Sequence, residues 1–98
     1  MDPVHIISCK RLLEAAERHS GLGEPLDAWY RIAKKAEWEN LVDVRRQFPS
    51  ADAAGRFTVF NIKGNAYRLI TEINYRTQRV FLRYVLTHAE YSKGDWQR

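Results

Sequence analysis

The sequence contains a single cysteine, Cys9, among 98 residues. An intrachain disulfide is therefore impossible, which is typical of proteins in a reducing cytosol. No apolar run approaches the roughly 20 residues that a membrane-spanning helix needs. The first residues also lack the basic and apolar segments of a signal peptide. We therefore expect a cytoplasmic protein that does not contact a membrane.

Motifs for bound metals and cofactors are also absent from the sequence. The three histidines, His5, His19 and His88, are scattered, and no spacing matches a zinc site. There is no glycine-rich phosphate-binding loop and no serine-centred nucleophile motif. We therefore expect neither a metal nor a cofactor.

Composition and charge are those of a small, folded, basic protein. Hydrophobic residues make up 45% and charged residues 29% of the chain, which argues against disorder. The length predicts one domain over residues 1–98. The net charge of +4 favours a polyanionic or acidic partner, and it is equally compatible with an ordinary soluble basic domain.

The first half of the chain has the apolar spacing of helices. A short strand is predicted at residues 4–7, followed by a helix that Ser8 caps and that buries Cys9, Leu12, Leu13 and Ala16. A second helix begins near Pro25, and a third is capped by Asn40 and stopped by Pro49. The predicted apolar stripe of the second helix comprises Leu26, Trp29, Tyr30, Ala33 and Ala36.

The second half reads as strands. After a loop at residues 50–56, strands are predicted at 57–63, 66–75 and 79–87. Gly64-Asn65 is a strong two-residue hairpin signal, and Thr77-Gln78 is a weaker turn. The polar tail from residue 88 predicts a short helix or an ordered arm. The predicted fold is α+β, an antiparallel sheet with two to three N-terminal helices packed on one face.

Centring the hairpins on these two turns divides the sheet into two faces, because side chains alternate along a strand. In this register Arg68 lies opposite Asn61 and Thr87, and Glu72 lies opposite Arg83. The face assigned to the core carries Phe60, Ile62, Tyr67, Leu69, Thr71, Ile73, Leu82, Tyr84 and Leu86. The other face carries Asn61, Arg68, Glu72, Arg83 and Thr87, mixed with Val59, Ile70, Phe81 and Val85.

The polar face has two interpretations. It is either a solvated surface with a cross-strand ion pair or a basic surface for a phosphate backbone. Cleavage of RNA by its own 2′-hydroxyl needs a base, a cation at the phosphate and an acid for the leaving oxygen. His88 suits either proton role, Arg68 and Arg83 suit the phosphate, and Tyr91 suits stacking or proton transfer. Alternatively, His88 is a strand-end residue that only hydrogen-bonds locally.

Two segments of the sequence carry a resemblance to a known family. The first is residues 59–70, which contain Gly64-Asn65-Ala66-Tyr67-Arg68-Leu69-Ile70, and the second is residues 85–91, which contain Thr87-His88-Ala89-Glu90-Tyr91. Together they resemble the HigB family of bacterial type II toxins. Residues 25–30 and 36–38 and Trp96 are similar to that family too. The resemblance implies a RelE-like fold and an mRNA interferase that typically acts on translating ribosomes. It also implies neutralisation by a helix-turn-helix (HigA-like) antitoxin, through which alone operator DNA is bound.

The resemblance also implies site residues. Arg68 occupies the place of the family's sheet arginine at the scissile phosphate, and His88 and Tyr91 match its C-terminal motif. With Arg83 these are the expected catalytic residues, without a division into base and acid. A non-catalytic RNA- or protein-binding module is the alternative. The expected RNA-holding residues are Asn61, Lys63, Lys93, Lys34 and Lys35, the last two otherwise belonging to a solvated helix face.

Overall fold

In a computed structural model of the chain, residues 5–7, 14, 17–19, 21–64 and 66–97 are described. Within these residues the fold is α+β, as predicted, with a five-stranded sheet in the order β1-β5-β4-β3-β2. β1 runs parallel to β5, and the other neighbours are antiparallel. The strands are β1 (His5–Ile7), β2 (Asp52–Ala54), β3 (Phe57–Ile62), β4 (Tyr67–Asn74) and β5 (Arg79–Thr87).

A side-chain cap marks the start of the helix at Leu41–Gln47. Asn40 accepts a hydrogen bond from the Asp43 backbone N–H at 3.1 Å, and this helix ends before Pro49. The helix that begins at Gly23 has no side-chain cap. Glu14, Glu17 and Arg18 are helical. The rest of the predicted first helix, from Ser8 to Leu13 with Ala16, lies outside the described residues. The helices with described bounds are α1 (Gly23–Ala33), α2 (Leu41–Gln47), α3 (His88–Lys93) and a 3₁₀ turn (Asp95–Gln97).

The main core lies between one sheet face and the helices α1 and α2. Trp29 and Trp38 pack against Phe48 and Phe60, with ring centroids 5.2 to 6.3 Å apart. The prediction that Tyr30 is buried is wrong, since it is 43% exposed. Leu26, Trp29 and Ala33 already fill the buried face of α1, and the residue after Trp29 is turned by about 100° away from it. None of the helices in the described part of the chain is long and apolar enough to cross a membrane.

The predicted loop at 50–56 contains a strand that the sequence did not indicate. β2 pairs with β3 from Asp52–Val59 to Ala54–Phe57, and Gly55 makes the turn with φ of +61°. Its three residues are Asp and Ala, which are poor strand formers. Backbone pairing with β3, rather than side-chain preference, therefore makes this segment a strand.

The first hairpin has the predicted register and the second does not. Asn61 pairs with Arg68, as expected from a turn at Gly64-Asn65, although Asn65 itself is outside the described residues. The second connection has four residues, 75–78, instead of a tight turn at Thr77-Gln78. As a result, Glu72 pairs with Phe81 and not with Arg83.

A register irregularity in β5 changes which side chains share a face. Thr71 pairs with Leu82 and Ile70 with Tyr84, so Arg83 is an extra residue, as in a β-bulge. Beyond it the alternation is reversed, and Arg68 pairs with Leu86 and not with Thr87. The prediction that Tyr84 and Leu86 lie under the helices is therefore wrong. They pack on the opposite face, and Val85 packs against the main core.

The opposite face carries a smaller cluster, which we call the tail cluster. Phe57, Val59, Ile70 and Trp96 are buried there, and Ala54, Tyr84, Leu86 and Tyr91 pack against them. The tail thus forms a short helix, which is one of the two predicted outcomes, and returns across this face. The face predicted to be an open surface for RNA is therefore partly covered by the chain's own C-terminal segment.

Candidate active site

Arg68 lies at the centre of the candidate site, in β4 next to β3. Its guanidinium is largely buried, and one terminal nitrogen, Nη1, donates to the backbone oxygen of Tyr67 at 3.2 Å. The other, Nη2, lies 3.2 Å from Nδ1 of His88. Because arginine has only donors, Nδ1 must accept, and a neutral His88 ring then carries its proton on Nε2. The contact therefore selects the tautomer of His88.

The sequence around His88 places it at the point where β5 becomes α3. Thr87 caps the helix through a reciprocal arrangement with Glu90, in which the Thr87 hydroxyl accepts from the Glu90 N–H at 3.2 Å. The Glu90 carboxylate accepts from the Thr87 N–H at 2.9 Å, which lowers the pKa of Glu90. His88 also donates its backbone N–H to Ala66 in the first hairpin turn. These contacts tie the start of α3 to the Arg68 end of the sheet.

Tyr91 lies one helical turn after His88, so the two side chains project from the same side of α3. The Arg68 guanidinium lies 5.4 Å from the Tyr91 ring centroid. The Trp96 indole is stacked on the same ring, with centroids 5.2 Å apart and planes 18° apart. The Tyr91 ring is therefore in contact with both the Arg68 guanidinium and the Trp96 indole, which restrict its position.

The position of Trp96 depends on a reversal of the chain at Gly94. Gly94 ends α3 with φ of +77°, a left-handed conformation that glycine adopts without strain. The indole N–H of Trp96 then donates to the backbone oxygen of Tyr91 at 2.9 Å, and its ring packs edge-on against Phe57. Trp96 thus joins the candidate site to the tail cluster.

The structure brings Arg68, His88 and Tyr91 together, with Asn61 paired to Arg68 on the adjacent strand. This set combines a permanent cation with two groups that can exchange protons. No group of three His, Cys, Asp or Glu side chains in the described ranges could hold a metal ion. The arrangement can stabilise a negatively charged phosphate and move protons beside it.

Arg83 lies on the same face but does not join this set. Its Nε donates to Glu72 Oε1 at 3.2 Å, and its guanidinium lies over Phe81 at 5.3 Å. Glu72 follows Arg68 by four residues in β4, which is about 13 Å along a strand. The contact with Glu72 therefore holds Arg83 at the end of the face away from Arg68.

The expected lysines are dispersed. Lys63 is exposed in the first hairpin turn, and Lys93 is exposed at the end of α3. Lys34 and Lys35 follow α1, which packs on the other face of the sheet, and Lys34 lies over the Tyr30 ring at 5.6 Å. Lys34 and Lys35 therefore belong to a different surface from Arg68.

A large open groove lies beside the site, along β5. It has a volume of about 660 Å³, and β5 from Arg83 to Thr87 lines one wall. Glu14, Glu17, Arg18, His19 and Glu90 also line it. Because its three carboxylates outnumber the guanidinium groups of Arg18 and Arg83, the groove as a whole does not attract a phosphate backbone.

The sequence analysis did not predict two features that support the site. The Thr87-x-x-Glu90 spacing is a capping-box pattern and could have identified the start of α3. The contact between Trp96 and Tyr91 had no such signal, because stacking after a chain reversal depends on the position of the sheet below it.

Comparison with known proteins gives a consistent result. The family model of HigB toxins, the RelE-like toxic component of a toxin–antitoxin system, matches residues 23–94. The mRNA interferase HigB of Escherichia coli O6:H1 is 30% identical over 93 residues, which cover 92% of this chain and 90% of that protein. The mRNA interferase toxin HigB of Escherichia coli K12 is 30% identical over 91 residues, with 90% and 88% covered. The mRNA interferase HigB of Shigella flexneri has the same identity and coverage.

Proposed function

Because this chain belongs to the HigB family of RelE-like toxins, we propose that it is an mRNA interferase, an endoribonuclease that cleaves messenger RNA and so inhibits translation and growth. The observation that carries the proposal is the contact of Arg68 with His88 beside the ring of Tyr91. A fixed cation next to two proton-exchanging groups suits cleavage of a phosphodiester by the neighbouring ribose 2′-hydroxyl.

In this reaction the 2′-oxygen attacks the adjacent phosphorus and loses its proton to a base. The bond to the 5′-oxygen breaks, that oxygen takes a proton from an acid, and a cyclic 2′,3′-phosphate remains. Arg68 stabilises the additional negative charge on the phosphate in the transition state. While Nδ1 accepts from Arg68, Nε2 of the neutral His88 ring already carries a proton and cannot take another, so His88 enters the proton transfer once Arg68 turns from Nδ1 to the phosphate.

Tyr91 acts through its hydroxyl group. Its ring already contacts the Arg68 guanidinium and the Trp96 indole, and this favours proton transfer or phosphate contact over stacking on a base. With His88 and Tyr91 as the two proton-exchanging groups and Arg68 as the cation, the reaction proceeds without a metal ion. Which of the two is the base is decided by the substrate's position.

The surrounding polar residues hold the RNA strand. Asn61 pairs with Arg68 on the neighbouring strand, and Lys63 and Lys93 are exposed in the first hairpin turn and at the end of α3. Lys34 and Lys35, on the helix side, contact a second stretch of RNA, which suits cleavage on a translating ribosome. The protein acts in the cytoplasm, where its messages are translated.

As a member of a toxin family, the protein has an antitoxin partner. We propose a helix-turn-helix, HigA-like antitoxin that neutralises it and through which the complex contacts operator DNA. Finding a gene for a small helix-turn-helix protein beside this one would support that partner, and copurification of the two proteins tests it.

The function is tested by induced expression in bacteria with primer extension on abundant transcripts. The parent protein arrests growth and produces new transcript ends. Arg68→Ala and His88→Ala reduce cleavage by about 10²-fold or more, because each removes a group that acts in the transition state. Arg31→Ala is the matched control, since Arg31 is exposed on α1 and pairs with Asp27.

Because Arg68 is largely buried, replacing it also destabilises the fold, and a loss of activity has to be separated from a loss of folded protein. Arg68→Lys keeps the charge but loses the two-nitrogen geometry, and circular dichroism shows whether each variant is folded. A folded Arg68→Ala/His88→Ala variant that is as toxic as the parent contradicts the site. Intact messages and normal growth with the parent protein would instead favour a non-catalytic binding module.

A further inference from the structure

A second arrangement of arginines lies on the same sheet face, at the far end from His88. Glu72 is at its centre in β4. Its Oε1 accepts from Arg83 Nε at 3.2 Å and pairs with Arg56 Nε at 3.4 Å. Glu72 is about one-quarter exposed, and the two arginines are more exposed. One carboxylate oxygen thus holds two guanidinium groups side by side.

Each guanidinium is also supported by an aromatic ring. Arg56 lies over Phe57 at 4.8 Å, and Arg83 lies over Phe81 at 5.3 Å. Phe81 pairs with Glu72 on β5, and Phe57 is one residue beyond the Thr58–Thr71 pair on β3. The planar groups are therefore restrained before any ligand arrives, which reduces the entropy lost on binding.

Within the described part of the chain, this arrangement has unbalanced charge and unused hydrogen-bond donors. Two guanidinium groups carry two positive charges, and the single carboxylate neutralises one of them. Both contacts with Glu72 are made by Nε. The terminal nitrogens, which form the fork that suits a phosphate, are left to face another acceptor. A phosphodiester has the single negative charge and the oxygens that complete such a site.

The two arginines at Glu72 lie on the same sheet face as the candidate active site. Arg68 and Glu72 are on the same face of β4, about 13 Å apart along the strand. Ile70, between them on β4, is buried in the tail cluster, so the accessible path runs over β5, where Tyr84 and Leu86 are half-buried. A basic end, an aromatic and apolar middle and a second basic end are the surface features that bind single-stranded nucleic acid.

We propose that Arg56 and Arg83, aligned by Glu72, form a second phosphate-binding site for the RNA strand that is cut at Arg68. The inference rests on the proposed function. The second site engages the backbone a few nucleotides from the scissile phosphate and sets the strand's direction across the sheet. Its contribution is to substrate binding and not to the chemical step.

The test is the affinity for a single-stranded 2′-O-methyl oligoribonucleotide, which lacks the attacking 2′-hydroxyl and is not cleaved. Fluorescence anisotropy is measured over a series of salt concentrations. Arg56→Gln/Arg83→Gln weakens binding by about 10-fold, since charge-assisted contacts are lost. The slope of the logarithm of the binding constant against the logarithm of the salt concentration becomes about 0.7 less steep, because one phosphate contact is lost.

The matched control is Arg31→Gln/Arg46→Gln. These arginines are at least as exposed, each pairs with one aspartate, and they lie on α1 and α2. The charge change is the same, so an equal loss in both double variants would mean that only net charge matters and would overturn the site. Equal weakening toward an acidic peptide of matched charge would overturn the assignment to RNA.

Glu72→Ala tests the alignment. This substitution removes one negative charge, so it tightens RNA binding if the arginines act only through their charge. If Glu72 aligns the arginines, the loss of alignment leaves RNA binding no tighter than that of the parent. Tighter binding would contradict the role of Glu72. Failure of the second site is distinct from failure of the proposed function. Cleavage that depends on Arg68 and His88, with equal oligonucleotide binding by the two double variants, overturns only the second site.

Discussion

Replacing Trp96 tests whether the C-terminal segment positions the candidate active site or only stabilises the fold. The indole is 7% exposed, stacks on Tyr91, packs against Phe57 and donates one hydrogen bond to the Tyr91 backbone. Trp96→Ala removes all of these contacts. Trp96→Phe keeps an aromatic ring and loses the hydrogen bond.

The magnitudes follow from these contacts. A buried tryptophan replaced by alanine costs about 3 to 5 kcal/mol, and we expect the lower end because the tail cluster is small. The hydrogen bond alone contributes about 1 kcal/mol, which sets the expected loss for Trp96→Phe. In a chain of 98 residues each kcal/mol lowers Tm by roughly 4 to 8 °C. Displacing Tyr91 by about 1 Å reduces cleavage by about 10²-fold.

The assay pairs urea unfolding with cleavage kinetics on folded protein well below each variant's Tm. Trp96→Ala reduces kcat by about 10²-fold with little change in KM, and Trp96→Phe restores most of the rate. Trp38 provides the control, because it is 2% exposed and donates to Gln47 at 2.8 Å on the other face of the sheet. Trp38→Ala loses similar stability and keeps its rate. A folded Trp96→Ala variant that cleaves at the parent rate refutes the positioning role.

Two further predictions concern the start of α3. Thr87→Ala removes the helix cap and lowers the free energy of unfolding by about 1 kcal/mol, whereas Thr87→Ser retains it; urea unfolding of the pair measures the difference. The lowered pKa of Glu90, which the Thr87 backbone N–H causes, stabilises the fold only while the carboxylate is ionised. That stability is present above the unfolded pKa and is lost as pH falls through the lower folded value. Glu90→Gln removes this acid dependence, and an unchanged pH profile of unfolding would contradict the assignment.

Local signals in the sequence predicted the elements that depend on neighbouring residues. Asn40 and Pro49 marked the bounds of α2, and Gly64-Asn65 set the pairing of Asn61 with Arg68. The resemblance of the motifs around Arg68, His88 and Tyr91 identified the family. These predictions succeeded because caps and tight hairpins are decided by backbone geometry within a few residues.

The extra residue in β5 was not predictable in the same way. A strand with or without a bulge has nearly the same apolar pattern, and Tyr84 and Leu86 suit either face. Their side was decided by the apolar cluster that Trp96 completes on the face opposite the helices. β2 was missed for a related reason, because its pairing with β3 is made by backbone groups of residues with weak strand preference.

The sequence by itself determined the α+β class, the hairpin that aligns Asn61 with Arg68, and the family to which the chain belongs. Tertiary structure alone decided that Arg68 meets His88 and Tyr91, that Trp96 supports Tyr91, and that Arg83 joins Arg56 at Glu72. The physical reason is the range of the interactions. Capping and turn formation act over a few residues, whereas a strand register, a bulge and a returning tail are settled only when distant segments compete to bury their side chains.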